Sequence, residues 1–343
     1  MAKQTRRRVG SAVFFFSILA LTLWYVFQGE NLSQVADCLS DANLGYVALA
    51  VAAVIAFILG ESVVIFYLLR RLGAKPKFSH CSLFSFVGFF YSAITPSASG
   101  GQPMQVLYMR RDGISGAVST VVLAIVTITY KLVLVVVGLA VMIFRPAGVM
   151  VCLEDAQALV YIGLVLNVVF IAILLTAVFH PHVIQATMGL LMKLLGRLRV
   201  FRDHEKVMAR VQSALDRYHD TAAFFKREPK IIAVVFFITL VQRFCLFSVI
   251  FFTYQAFGLS GHSAGTTILL YAMISVAVDM LPLPGGMGIS ESLFLSIFQP
   301  IFGAELVLPG MILCRGISYY TQLVISGVMT GAAQFVFRGK RRN

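Results

Sequence analysis

Long apolar runs separated by short polar segments set the rhythm of this chain. Runs at about 9–27, 44–69, 116–144, 158–179, 231–257 and 307–337 are each long enough to cross a bilayer, which takes about 20 residues of helix. Backbone groups in hydrocarbon must be paired within their own segment, so each run predicts a spanning helix. Two further apolar stretches, 78–109 and 267–302, are interrupted. The first is broken by Thr95-Pro96-Ser97-Ala98-Ser99-Gly100-Gly101-Gln102-Pro103, the second by Leu281-Pro282-Leu283-Pro284-Gly285-Gly286-Met287-Gly288. Proline removes a helix hydrogen bond and clashes with the preceding turn, and each remaining limb is too short for a crossing. The pattern predicts two re-entrant hairpins that enter the bilayer and return to the same face. The alternative is two kinked ordinary spans, which set unpaired backbone groups against lipid unless the break lines a cavity.

Charge fixes the expected orientation. Arg6, Arg7 and Arg8 precede the first run, and no small-residue cleavage site follows it, so it reads as a retained signal anchor. Glu30, Asp37 and Asp41, and later Glu154 and Asp155, mark one face. Arg70, Arg71, Lys75 and Lys77, then Arg110 and Arg111, the basic stretch 180–230, and finally Arg338, Lys340, Arg341 and Arg342 mark the other. Basic residues gather on the cytoplasmic side, which predicts a multi-pass protein of the cell membrane with both termini inside. Span, hairpin, span then occurs twice, at 44–144 and 231–337, in opposite orientations. The expected fold is one all-α polytopic membrane domain over 1–343. It has about six spanning helices and two re-entrant broken helices in an inverted-topology repeat, the arrangement of many transporters.

Composition sharpens this reading. Hydrophobic residues make up 59% of the 343 and charged ones 13%, roughly half the charged share of a soluble domain. The 28 Lys+Arg outnumber 15 Asp+Glu. In a soluble chain that balance suggests nucleic acid, but here the basic residues lie between apolar runs and face anionic inner-leaflet lipid. No nucleic-acid partner is expected. The cysteines Cys38, Cys81, Cys152, Cys245 and Cys314 are scattered, and no His-x-x-x-His pair or Gly-x-Ser-x-Gly elbow occurs. No metal, cofactor or catalytic constellation is therefore expected. An intramembrane lipid transferase using Glu291 or Asp279 as base is the enzymic alternative.

Chemistry concentrates at the breaks. A half-helix is expected to start after each, near Pro103 and near Ile289, with free N–H groups and the positive dipole end directed between the hairpins. Gly100, Gly101, Gly285, Gly286 and Gly288 admit close approach to the backbone, while Ser97, Ser99 and Gln102 add side-chain donors. Such an arrangement suits an anion, phosphate above all. Lys131, Arg243 and Arg315 fall inside spans, as do Glu61 and, beside the second break, Asp279 and Glu291. Each costs roughly 2.5–3.5 kcal/mol on insertion, so they are expected to face a cavity or one another. Two readings stay open. The charges form internal ion pairs, or Lys131, Arg243 and Arg315 hold a phosphate-bearing lipid with Glu291 while Glu61 and Asp279 balance charge.

Thr95-Pro96-Ser97 with Gly100-Gly101-Gln102-Pro103, Pro284-Gly285-Gly286-Met287-Gly288 with Glu291, and Arg315 followed by Tyr319-Tyr320 together resemble the lysylphosphatidylglycerol synthase transmembrane family. This is the flippase-like portion of the multiple peptide resistance factor proteins. The resemblance implies movement of aminoacylated phosphatidylglycerol between leaflets, with the lipid made by a separate soluble aminoacyltransferase domain that residues 1–343 are expected to lack. The expected function is translocation of a phosphate-bearing, optionally aminoacylated phospholipid. The alternatives are secondary transport of a small anion, or service as the membrane part of a phosphatidylglycerol lysyltransferase system. Membrane phospholipid is the expected partner; a separate lipid-synthesising enzyme and a second copy of the chain are left open.

Leu190, Leu191, Leu194, Leu195 and Leu198 recur at helical spacing among Lys193, Arg197 and Arg199, which predicts an amphipathic helix on the inner leaflet. A peptide covering 187–210 is expected to bind phosphatidylglycerol vesicles more tightly than phosphatidylcholine ones. Equal binding to both, measured by co-sedimentation, would remove the electrostatic part of that reading.

Overall fold

The computed structural model describes residues 37, 39–95, 98–179, 218–281, 283, 286 and 288–337. The first predicted span, most of the basic stretch (180–217), the final basic cluster, and the candidate residues Ser97 and Gly285 lie outside the described residues. Helix accounts for nearly all regular structure, and no strand occurs among the described residues. The elements are α1 (Leu44–Arg71), α2 (Phe78–Ala93), α3 (Gly101–Arg111), α4 (Gly116–Phe144), α5 (Gln157–Phe179), α6 (Pro229–Phe247), α7 (Val249–Ala256), α8 (Ala264–Val278), α9 (Ile289–Arg315), a π-helical segment (Gly316–Thr321) and α10 (Gln322–Val336). Among the described residues, five helices are long and apolar enough to cross a membrane: Leu44–Arg71, Gly116–Phe144, Glu154–Val178, Pro229–Ala256 and Ile289–Val336. The chain is an all-α polytopic membrane protein.

Both predicted breaks fall where the helices stop. The first hairpin is α2 and α3, joined across residues 94–100. Its limbs lie against each other along their length. A Cβ on Gly88 would sit 2.3 Å from the Gln105 side chain, and one on Gly101 would sit 2.1 Å from Ser92 Oγ, so glycine is what allows this contact. At the open end His80 Nδ1 lies 2.9 Å from Asp112 Oδ2. The start of α2 and the end of α3 therefore meet, and the stretch enters and leaves on one side. Pro103 is tolerated in the first turn of α3, where its missing N–H has no intrahelical partner to lose.

The second hairpin pairs α8 with the first half of α9. Gly303, at φ 76° and ψ 165°, then turns the chain into the last span, in a backbone conformation that only glycine adopts without strain. Phe302 closes over Gly310, where a Cβ would lie 2.6 Å from its ring. The last span is itself irregular: directly after Arg315 the helix widens into the π-helical segment.

The packing of the two halves is reciprocal. α4 packs on α8 of the second hairpin as α10 packs on α2 of the first, and α6 packs on α4 as the π-helical segment packs on α1. The first spans of the halves, α1 and α6–α7, pack against each other, with the Gln242 side chain seated on Gly60. α4 is largely buried by its neighbours, whereas α5 turns Ile162, Val165, Val169 and Ile173 outward, a surface suited to lipid. In a cysteine-free background, single cysteines at Ser79 and Arg110 are expected to react with a membrane-impermeant thiol reagent from the same side. Labelling from opposite sides would replace the hairpin with a crossing.

Candidate functional site

The intramembrane charges are brought together by the breaks. Glu291 opens α9, and its carboxylate is held three ways. The backbone N–H of Gly288 donates to Oε2 at 2.7 Å and the Ser290 hydroxyl donates to Oε2 at 2.8 Å. Arg315 Nε donates to Oε1 at 2.8 Å. Glu291 thus takes the place an external anion would have at this helix N-terminus. Gly288 and Gly286 sit at φ 86° and 68°, which lets the chain turn sharply enough for the carboxylate to reach back. The Arg315 guanidinium also lies 5.0 Å from the Tyr319 ring. Nearby, Tyr271 donates to the Ser318 hydroxyl at 3.1 Å, tying α8 to the π-helical segment.

A second ion pair joins Lys131 on α4 to Asp279, the residue that caps α8. The ammonium also lies 5.5 Å from the Phe170 ring. Both acidic residues flanking the second break are therefore taken by cations from spans. Internal pairing, one of the two readings open from sequence, describes Lys131 and Arg315.

Arg243 and Glu61 are different. Arg243 is 2% exposed and Glu61 9%, and neither has an oppositely charged partner among the described residues. Arg243 donates to the hydroxyl of Tyr130 and lies 4.2 Å from that ring and 4.7 Å from the ring of Phe247. Its Nε has no hydrogen-bond partner, nor has the adjacent Gln242 Nε2. Two aromatic faces stabilise a desolvated guanidinium by about 2 kcal/mol or more each, and the orphaned donor works against them. Glu61 accepts from Gln105 Nε2 at 2.6 Å, a neutral group. Tyr130, one residue before Lys131, is thus the polar group that answers Arg243.

The first break is closed more locally. Thr95 donates to the Tyr91 carbonyl at 2.6 Å and accepts the Gly100 N–H at 2.9 Å. Gln102 is exposed and donates to Thr127 on α4, and Ser99 is exposed. Gly101 serves the contact between limbs. The structure thus gathers Glu291, Gly288 and Arg315 in one cluster, Lys131 and Asp279 in a second, and Arg243 beside Tyr130. It leaves Ser99 and Gln102 at the edge of the first hairpin. Tyr130, Gln105, Gln242 and Ser290 are the polar residues that sequence reasoning passed over. The available signal was polar side chains directly beside charged ones: Tyr130 before Lys131, Gln242 before Arg243 and Ser290 before Glu291. Among the described residues no group of His, Cys, Asp and Glu is arranged to hold a metal ion.

The family model of the Lysylphosphatidylglycerol synthase TM region matches residues 9–326. Comparison with curated proteins finds no match. The matched range takes in both breaks, both ion pairs and the buried Arg243, and it ends within α10. By that match the chain belongs to the lysylphosphatidylglycerol synthase transmembrane family.

Proposed function

We propose that this protein moves a phosphate-bearing phospholipid, aminoacylated or not, between the leaflets of the cell membrane, with both termini cytoplasmic. The family supports a membrane role in lysylphosphatidylglycerol-related lipid handling; translocation itself is our reading. The observation that carries it is Arg243. This cation is fully buried, its Nε is unsatisfied, and no carboxylate pairs with it among the described residues. A lipid phosphate would supply both the missing charge and the missing acceptor, through the charge-assisted bonds that guanidinium makes well. The headgroup enters the polar region between the hairpins while the acyl chains stay in lipid. The two halves, 44–144 and 231–337, rock against each other and expose the site alternately, as inverted repeats do.

The paired cations have a supporting role in this mechanism. Arg315–Glu291 and Lys131–Asp279 hold the second break against the spans, so the end of α8 and the start of α9 move with α4 and the last span. The exchange of Glu291 for a lipid phosphate at Arg315 is the step that would recruit the second cation.

Two sets of variants test this reading in proteoliposomes, with rates normalised to folded protein. Arg243→Gln is expected to stay folded, since removal of a buried charge that no carboxylate answers offsets the lost contacts with the Tyr130 and Phe247 rings. It is expected to lose binding of phosphate-bearing lipid by about 10–100-fold, the worth of a charge-assisted hydrogen bond at 1.5–3 kcal/mol. Arg243→Lys should rescue in part, because a point charge replaces a planar fork. Full translocation by well-folded Arg243→Gln would remove this residue from the site, and uptake of inorganic phosphate in place of lipid would turn the reading to an anion transporter.

Arg315→Gln strands the Glu291 carboxylate, and breaking a buried pair in this way costs about 3–5 kcal/mol. Its melting temperature is expected to fall, and Arg315→Gln with Glu291→Gln is expected to recover most of the loss. Failure of the double variant to recover would mean that Arg315 stabilises the fold through other partners.

A further inference from the structure

We propose that the seam between the last span and the first hairpin is the track along which a lipid headgroup crosses the membrane. This rests on the lipid reading above and adds its route. Along the last span, Arg315, Ser318, Gln322, Ser326, Thr330 and Gln334 recur almost every fourth residue. Beyond the π-helical segment they form one i±4 ridge of α10. At about 1.5 Å per residue the stripe runs roughly 28 Å. That is close to the thickness of the hydrocarbon core, about 30 Å.

The middle of the stripe is turned inward. The buried face of α10 is Ser326, Thr330 and Ala333, and the hairpin limb it packs on is α2. Three contacts fix that packing. Tyr319 donates to the Ala93 carbonyl at 2.9 Å, Gly327 sits on the Phe90 ring, and the Phe337 ring stacks on Phe84 at 5.6 Å between centroids. Ser326 and Thr330 lie between the outer two of these and are 0% and 3% exposed. Neither hydroxyl has a hydrogen-bond partner among the described residues. Elsewhere in this protein helical threonines turn the hydroxyl back to the carbonyl four residues earlier, as Thr127, Thr129, Thr176 and Thr253 do. Small side chains are ordinary where membrane helices touch, so packing explains the size of Ser326 and Thr330. It does not explain the hydroxyls, because a buried polar group left unmet is a cost. Two hydroxyls that forgo their local bonds are donors and acceptors kept for a polar group passing between the helices.

Both ends of the stripe suit a phosphate. At one end Gln334 bonds Tyr108, whose ring lies 4.9 Å from the Arg111 guanidinium; at the other stands Arg315. Between the two cations the neutral side chains offer a headgroup exchangeable bonds in place of water. The acyl chains stay in lipid, along the side of α10 where Val324, Val328 and Phe335 face outward. Passage requires α2 to part from α10. Among the described residues no ion pair joins these two helices, so the seam opens without separating charges.

Ser326→Ala combined with Thr330→Val removes two hydroxyls and almost no volume, and tests the track in proteoliposomes. The double variant is expected to keep or raise the melting temperature, because two unmet buried groups are gone. It is expected to move phosphatidylglycerol more slowly, by about 2–10-fold for each hydroxyl lost. A wild-type rate, or a lower melting temperature alongside the slower rate, would make these hydroxyls part of the packing and overturn the track. A second measurement stands apart from that variant. In a cysteine-free background, Ser326→Cys in the purified protein is expected to react with a small hydrophilic thiosulfonate. Dihexanoyl phosphatidylglycerol is expected to slow that reaction, and inorganic phosphate is not. No reaction in folded protein would show a seam that stays shut and sink the proposal; equal protection by inorganic phosphate would remove lipid as the occupant. Either failure, with wild type still moving lipid, leaves the lipid reading standing. No lipid movement by wild type would overturn that reading and the track with it.

Discussion

A charge buried in a membrane has to be answered, and that constraint organises this molecule. Glu61, Lys131, Arg243, Asp279, Glu291 and Arg315 all lie in or beside apolar runs, so each must find a partner inside the bundle or remain costly. Two pairs form, and both end on the second break: Asp279 at the close of α8 and Glu291 at the start of α9. The two ends of the break are thus pinned, one to α4 and the other to the last span. What the pairing leaves over, Glu61 on α1 and Arg243 on α6, belongs to the two first spans.

Glycine is the second requirement, because the polar contacts depend on how closely helices approach. Gly88, Gly101 and Gly60 do not adopt unusual backbone angles; they remove a Cβ where another side chain has to sit. Gly303 acts differently, by turning the return limb of the second hairpin into the last span at a positive φ. Without the first group, Gln105 and Gln242 could not reach α1. Without Gly303, α9 would continue straight and Phe302 would not fold back over Gly310.

These devices fit a protein that changes shape around a fixed polar region. The halves meet through reciprocal contacts, as the proposed rocking of one half on the other requires. The π-helical segment after Arg315 is a natural place for the last span to adjust, since π-turns carry wider, weaker hydrogen bonding within a helix.

The amino-acid sequence by itself determined the class, the spans among the described residues and the places of the two breaks. Apolar length is read directly against bilayer thickness, and Pro and Gly end a helix by local sterics wherever they occur. It also singled out the six costly charges, because an ionisable group in an apolar run is conspicuous on its own. It did not determine who answers whom. Lys131 and Asp279 are 148 residues apart, and Glu61 and Gln105 are 44; which pairs form depends on helices crossing in three dimensions. The tertiary structure alone decided that Glu291 fills its own helix N-terminus, and that Arg243 has aromatic rings and a phenol where a carboxylate was available to Arg315. The reason is range: helix length and helix breaking are local properties of the chain. Pairing of buried charges is settled by the packing of distant segments in a medium that cannot screen them.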